Sequence, residues 1–136
     1  MFKSLFLSCI VLLTFASMAI SQNLVIDTSG TFSGSGTYVV HGNIDNTNAN
    51  SARLISGTVR LAKNGAQSIG GSTNAINFQT LQIDSAGTKT TSVDDTVQTT
   101  LDVAHASGVF SIGTKKLTLE GAITNSGSAA SPYTFN

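Results

Sequence analysis

The chain has 136 residues, of which only 10% are charged, and its formal net charge is zero. A chain so thinly and evenly charged carries no basic footprint for nucleic acid and no Lys/Arg cluster for an anionic lipid surface. Its single cysteine, Cys9, excludes an intramolecular disulfide, and Trp is absent.

The N-terminus reads first. Lys3 puts a positive charge ahead of an apolar run from Leu5 to Ala16. That run suits the core of a signal peptide and is short for a membrane span. Small residues follow: Ser17-Met18-Ala19 and Ala19-Ile20-Ser21 both fit a small-x-small cleavage site. The pattern predicts a signal peptide over residues 1–21, with cleavage after Ser21 and Gln22 as the new N-terminus. An uncleaved anchor helix is the alternative. A lipid-bearing Cys9 fits less well, because the apolar run continues past it. Cys9 lies in the segment to be removed, so the exported chain would have no thiol for a metal or a nucleophile. Packing and backbone hydrogen bonds must hold it together.

Beyond residue 22 no stretch keeps apolar residues at the i, i+3, i+4, i+7 spacing of a helix. Short strands are predicted instead over 24–26, 37–40, 58–61, 78–83, 96–103, 109–112 and 116–119, separated by Gly, Asn and Ser clusters. Leu81 and Ile83, Leu101 and Val103, and Leu117 and Leu119 alternate with polar residues, the period of a strand with one buried face. The last residues, Ser131 to Asn136, read as the start of a further strand. The sequence therefore predicts about 115 residues of all-β domain, enough for one core.

Internal repetition narrows the architecture. Leu24-Val25-Ile26-Asp27-Thr28-Ser29-Gly30-Thr31 matches Leu81-Gln82-Ile83-Asp84-Ser85-Ala86-Gly87-Thr88 at an offset of 57 residues. Looser copies begin at Leu101 and, truncated, at Leu54. Tyr38 to Ile44 resembles Leu117 to Ile123. Leu81 and Leu101 are 20 residues apart, and 57 is three times 19, so the repeat unit is read as roughly 20 residues. Each unit would form one coil of two or three short strands, with about five coils in the exported chain. A lone coil buries about four aliphatic side chains, roughly 1.5–3 kcal/mol each. Ordering its backbone costs roughly 1–2 kcal/mol per residue. Only stacked coils fold. The prediction is a short parallel β-helix over residues 22–136, with a β-sandwich of irregular hairpins as the alternative. The open C-terminal strand suggests the N-terminal part of a longer chain.

Two stretches carry a family resemblance. Gly57-Thr58-Val59-Arg60-Leu61, with Gly65 to Gly71 and Phe78 to Ile83, is one. Gly108 to Gly121, read as G-x-F-x-I-G-T-x-x-L-T-L-x-G, is the other. Over about residues 54–124 the chain resembles the β-solenoid repeats of large surface proteins of Bacteroidota-like bacteria. The resemblance implies a right-handed parallel β-helix, and a role in adhesion or cell-surface architecture.

Chemistry-bearing residues are few. His41 and His105 sit in different registers, without the spacing of a zinc pair, and read as surface histidines. Asp94-Asp95 is the only adjacent acid pair. Paired acids do the work of β-helix polysaccharide lyases and hydrolases. Flanked by Ser92 and Thr96, these two read as a solvated turn. Asp27 and Asp84 recur at one repeat position, which suggests an Asx turn; a calcium ladder would need the G-G-x-G-x-D nonapeptide. Gly70-Gly71 lacks a following Lys, so it reads as a corner and not a phosphate loop. Thr88, Thr90, Thr96, Gln98 and Thr100 could form a flat outward ladder for ice or glycan, or simply a wet strand face.

The expected function is a non-enzymatic structural or adhesive module, exported to the medium or the outer cell surface. A carbohydrate-binding or carbohydrate-active β-helix is the first alternative, and a subunit assembling end to end the second. Expected partners are an extracellular glycan or surface protein, or a second copy through the solenoid ends. No nucleic acid, cofactor, metal or membrane span after cleavage is expected, and no catalytic residue is assigned.

Overall fold

A computed structural model describes residues 17–20, 22–27, 33–48, 53–71 and 75–135. Among the described residues thirteen strands follow one another and no helix occurs. They are β1 (Ser17–Ile20), β2 (Leu24–Ile26), β3 (Thr37–Val40), β4 (Ile44–Asn46), β5 (Arg53–Leu61), β6 (Gln67–Gly71) and β7 (Ile76–Ile83). Then come β8 (Gly87–Thr91), β9 (Asp95–Val103), β10 (Gly108–Gly113), β11 (Leu117–Leu119), β12 (Ala122–Thr124) and β13 (Tyr133–Phe135).

Odd-numbered strands up to β11 form one sheet in the order β1-β3-β5-β7-β9-β11, with β12 also on β9. The second sheet runs β13-β10-β8-β6-β4-β2. Among the described residues every pairing between strands is parallel. The chain crosses from one sheet to the other and back in each coil. This is the predicted β-solenoid, with two strands per coil and about four turns rather than five.

Register shows the coil length. Thr37 pairs with Thr58, Thr58 with Thr80, Thr80 with Thr100 and Thr100 with Ala122, a step of 20 to 22 residues. The 57-residue repeat is not a whole number of these steps. Leu24 lies on β2 in the second sheet, whereas Leu81 lies on β7 in the first. The L-x-I-D motif therefore marks a strand leaving the core for a corner, on either sheet, and not one fixed place in the coil. The sequence pattern places no strand at β4, β6, β8 or β12, where Asn, Gly, Lys and Thr dilute the apolar signal or the strand is only three residues long, and it reads β1 as part of a signal peptide. Gly70 lies inside β6, and Gly71 ends that strand with φ 118°. A Cβ on Gly71 would overlap the backbone of Asn46 in the coil below. Only glycine satisfies both demands.

Alternation along each strand becomes columns across coils. Tyr38, Val59, Leu81, Leu101 and Ile123 form one column, and Val40, Leu61, Ile83 and Val103 a second. Ile55, Phe78, Val97 and Leu119 form a third. From the second sheet, Leu24, Ile44 and Ile69 face them in one core. Within a column each side chain is covered above and below. At the C-terminal coil the cover stops: Leu101 is fully buried, but Ile123, the next in its column, is 50% exposed. Removing one methylene tests that gradient. Ile83→Val should lower the unfolding free energy by about 1 kcal/mol in urea, and Ile123→Val by a small fraction of that.

Candidate functional site

Each coil turns twice, at a corner leading into the first sheet and a corner leading out of it, and most of the polar chemistry sits at these corners. Asp94 ends the inbound corner before β9, and Asp95 is the first residue of that strand. Their backbones point the two carboxylates in different directions. Asp94 is exposed, and its Oδ1 accepts the Lys116 N–H of the next coil at 2.9 Å. Asp95 begins β9 with an inward register and is only 2% exposed. The expected solvated turn holds for Asp94 and fails for Asp95. The strand starts one residue earlier than the Thr96 start read from the sequence, which swings Asp95 under the core.

The Asp95 carboxyl is held by Thr91 and Ile76. Thr91 Oγ1 lies 2.6 Å from Oδ2, and the Ile76 N–H reaches Oδ1 at 3.3 Å. Thr91 Oγ1 also lies 2.8 Å from the Val93 carbonyl oxygen. Thr91 has one proton for two acceptors. A protonated Asp95 resolves that conflict: its O–H donates to Thr91, and Thr91 donates to Val93. Burial pushes the Asp95 pKa up to about 7, the Thr91 and Ile76 bonds oppose it, and the Asp94 charge adds to it. The two acids do not converge on one accessible point as a hydrolytic pair would.

Asp27 and Asp84 share a sequence position but not a place. Asp27 follows β2 at an inbound corner, and Asp84 follows β7 at an outbound corner. They do not line up into a ladder. The Asp84 Oδ2 meets Arg60 Nε of the preceding coil at 2.7 Å, a partly exposed ion pair. His41 and His105 lie on outbound corners three coils apart, after β3 and β9. Three strand spacings make roughly 14 Å, too far for one metal. His105 Nδ1 accepts the Ser107 N–H at 3.1 Å, a local turn bond. Among the described residues no group of three or more His, Cys, Asp and Glu could hold a metal.

The threonine set divides between the two faces. Thr88 and Thr90 lie on β8 in the second sheet; Thr96, Gln98 and Thr100 lie on β9 in the first. No single strand presents the expected ladder. Ladders run across the coils instead. Thr37, Thr58, Thr80 and Thr100 stack in register on the first sheet. Ser68, Thr90, Ser111 and Thr134 do so on the second. Strand pairing sets the repeat of each column at about 4.8 Å.

Two side chains carry more of the polar architecture than their sequence context suggests. Lys89 is fully buried in β8. Its ammonium donates to the carbonyl oxygens of Lys63 and Gly65, both at 2.8 Å, and of Ala86 at 2.9 Å. All three protons are used. Burial, helped by the Lys63 charge, lowers its pKa. Asp102 accepts from Gln82 Nε2 at 3.3 Å, Thr124 Oγ1 at 2.7 Å, and Ser126 N and Oγ at 3.1 and 2.7 Å. Burial pushes its pKa up, but these bonds, led by Ser126, outweigh it and hold the group below the usual carboxylate range. Gln82, Asp102 and Thr124 occupy one column, so this carboxylate ties three successive coils together.

No protein-family model, curated protein or solved structure matches this chain.

Proposed function

We propose that this chain is a non-enzymatic structural or adhesive β-solenoid module, exported to the medium or the outer cell surface. One observation carries the reading: the polar side chains bond from coil to coil. Asp102 binds Gln82 and Ser126, Lys89 binds Lys63 and Gly65, and Asp84 binds Arg60. Gln67 Nε2 likewise donates to the Val40 carbonyl oxygen at 3.0 Å. These groups stiffen a stack without a disulfide, which is what an exported spacer or adhesive rod requires. The N-terminal charge, apolar run and small residues support the export.

The glycan-binding alternative draws on a specific feature. The column Thr37, Thr58, Thr80 and Thr100 sets hydroxyls at a regular spacing on a β-sheet face, beside the polar Gln82 and Asp102. Such a face suits an extended, repeating polyol.

The test is made in the cell that produces the protein. Protease added to intact cells should degrade the chain, and deletion of its gene should weaken attachment of the cells to a surface. A chain found only in the cytosol would sink the reading. Retention on insoluble polysaccharide that is lost in Thr80→Val/Thr100→Val would favour the glycan alternative.

A further inference from the structure

Ser17–Ile20 is a strand of this fold, yet it lies inside the segment that the sequence marks for removal. β1 pairs in parallel with β3 over its whole length: Ser17 with Thr37, Met18 with Tyr38, Ala19 with Val39 and Ile20 with Val40. We propose that export processing cuts the Ala16–Ser17 bond, so that the exported chain begins at Ser17 and keeps β1. The proposal deepens the export reading above and rests on it.

Three observations converge on that bond. The first is register. Met18 and Ile20 pair with Tyr38 and Val40, which begin the Tyr38-Val59-Leu81-Leu101 and Val40-Leu61-Ile83-Val103 columns. Ser17 heads the threonine column of Thr37, Thr58, Thr80 and Thr100. The alternation of Ser17-Met18-Ala19-Ile20 thus has the same phase as that of the sheet it joins. A discarded leader has no reason to match it.

The second is the path of the chain after β1. Asn23 Oδ1 accepts the Asn43 N–H at 2.9 Å, and the Leu24 N–H donates to the Asn43 carbonyl oxygen at 2.8 Å. A Cβ on Gly42 would overlap the backbone of Gln22 and Asn23. Gln22 and Asn23, which lead into β2, therefore lie tightly on the corner after β3. A cut after Ser21 would place a new ammonium at that contact and strip the whole partner strand from β3. A cut after Ala19 would leave one residue of it. Either would bare a parallel strand edge beside the buried Val40.

The third is the sequence ahead of Ser17. Thr14-Phe15-Ala16 is itself a small-x-small site, and Leu5 to Leu13 still provides an apolar core of signal-peptide length behind Lys3. Hydrolysis there by an export-linked endopeptidase consumes one water. The Ala16 C–N bond breaks, Ala16 leaves as a carboxylate, and Ser17 becomes the new amine.

The experiment is export of the full chain from a host with general secretory export, followed by N-terminal sequencing and intact mass of the exported protein. An N-terminus at Ser17 is expected, and Ala16→Leu should abolish that species. An exported protein that begins at Ile20 or Gln22 overturns the proposal while leaving the export reading intact. Full-length chain retained in the cytosol overturns both. Urea unfolding gives an independent readout. The chain from Ser17 should unfold at a clearly higher midpoint than the chain from Gln22, and equal midpoints would show that β1 is no part of the fold.

Discussion

The unfolding free energy of this protein should rise as the pH falls from 8 to 5, and Asp95→Asn should remove most of that rise. Asp95 is buried, and its pKa in the fold is pushed up to about 7. In the unfolded chain an aspartate titrates near 3.9. Folding therefore favours the protonated form. Below about pH 4 the group is neutral in both states and imposes no penalty. As the pH climbs from about 4 to about 7, the unfolded state ionises and the folded state resists, so stability is lost. Above about 7 the loss is complete. A separation near three pH units corresponds to roughly 4 kcal/mol in full, of which about 2–3 kcal/mol falls between pH 5 and 8.

Asparagine is the informative replacement because it copies the neutral acid. Its amide can donate to Thr91 Oγ1, leaving Thr91 to donate to Val93, and its carbonyl can accept from Ile76 N–H. Asp95→Asn should therefore be more stable than the parent at pH 8 and about equal to it at pH 4. The measurement is urea unfolding of both proteins across that range. Parallel pH profiles would mean that Asp95 ionises in the fold as easily as in water, and the account of its burial would be wrong. Titration elsewhere in the chain acts on both proteins and cancels in the comparison.

Lys89→Met should be a damaging change of a polar residue, at about 1–3 kcal/mol in urea at neutral pH. The replacement keeps most of the length of the side chain, so little cavity opens. What it removes is the ammonium that satisfies the carbonyl oxygens of Lys63, Gly65 and Ala86. The Lys63 oxygen keeps the Ser85 Oγ at 2.8 Å and the Ala86 oxygen keeps the Gly65 N–H at 3.0 Å, so the loss falls mainly on the Gly65 oxygen, and a partly buried acceptor left unsatisfied is costly. Lys89→Arg is the control for charge. It keeps the positive charge, but its planar fork does not match three carbonyls gathered on one point. Arginine should thus rescue only part of the loss. If Lys89→Met cost less than about 0.5 kcal/mol, water would be replacing the ammonium at the Gly65 oxygen and the account of Lys89 would be wrong.

These two residues show where sequence reasoning reached its end. Leu81 and Ile83, and Leu101 and Val103, were legible as inward pairs because strand side chains alternate with period two, whatever lies across from them. Gly87-Thr88-Lys89-Thr90-Thr91 has the same alternation, and Lys89 is on its inward phase. Read alone, a lysine among threonines belongs to a wet face. Its burial depends on carbonyls offered by residues 63 and 65, one coil away. Asp95 was misread for a related reason. The difference between the solvated turn and the first inward residue of β9 is one position, and the partner strand β7 decides it.

The sequence by itself determined that the described chain is all strand, that its strands are short and repeated, and that stacking must stabilise them. Those properties follow from local periodicity, from the density of Gly, Asn and Ser, and from the inability of one coil to offset its own ordering entropy. Tertiary structure alone decided the phase of the coil. Leu24-Val25-Ile26-Asp27 and Leu81-Gln82-Ile83-Asp84 are nearly the same words, yet one lies in each sheet. A strand that leaves a core for a polar corner needs the same residues on either side of a two-sheet coil. Which sheet it joins is settled by the partners that complete its hydrogen-bond ladder, and those lie a full coil away.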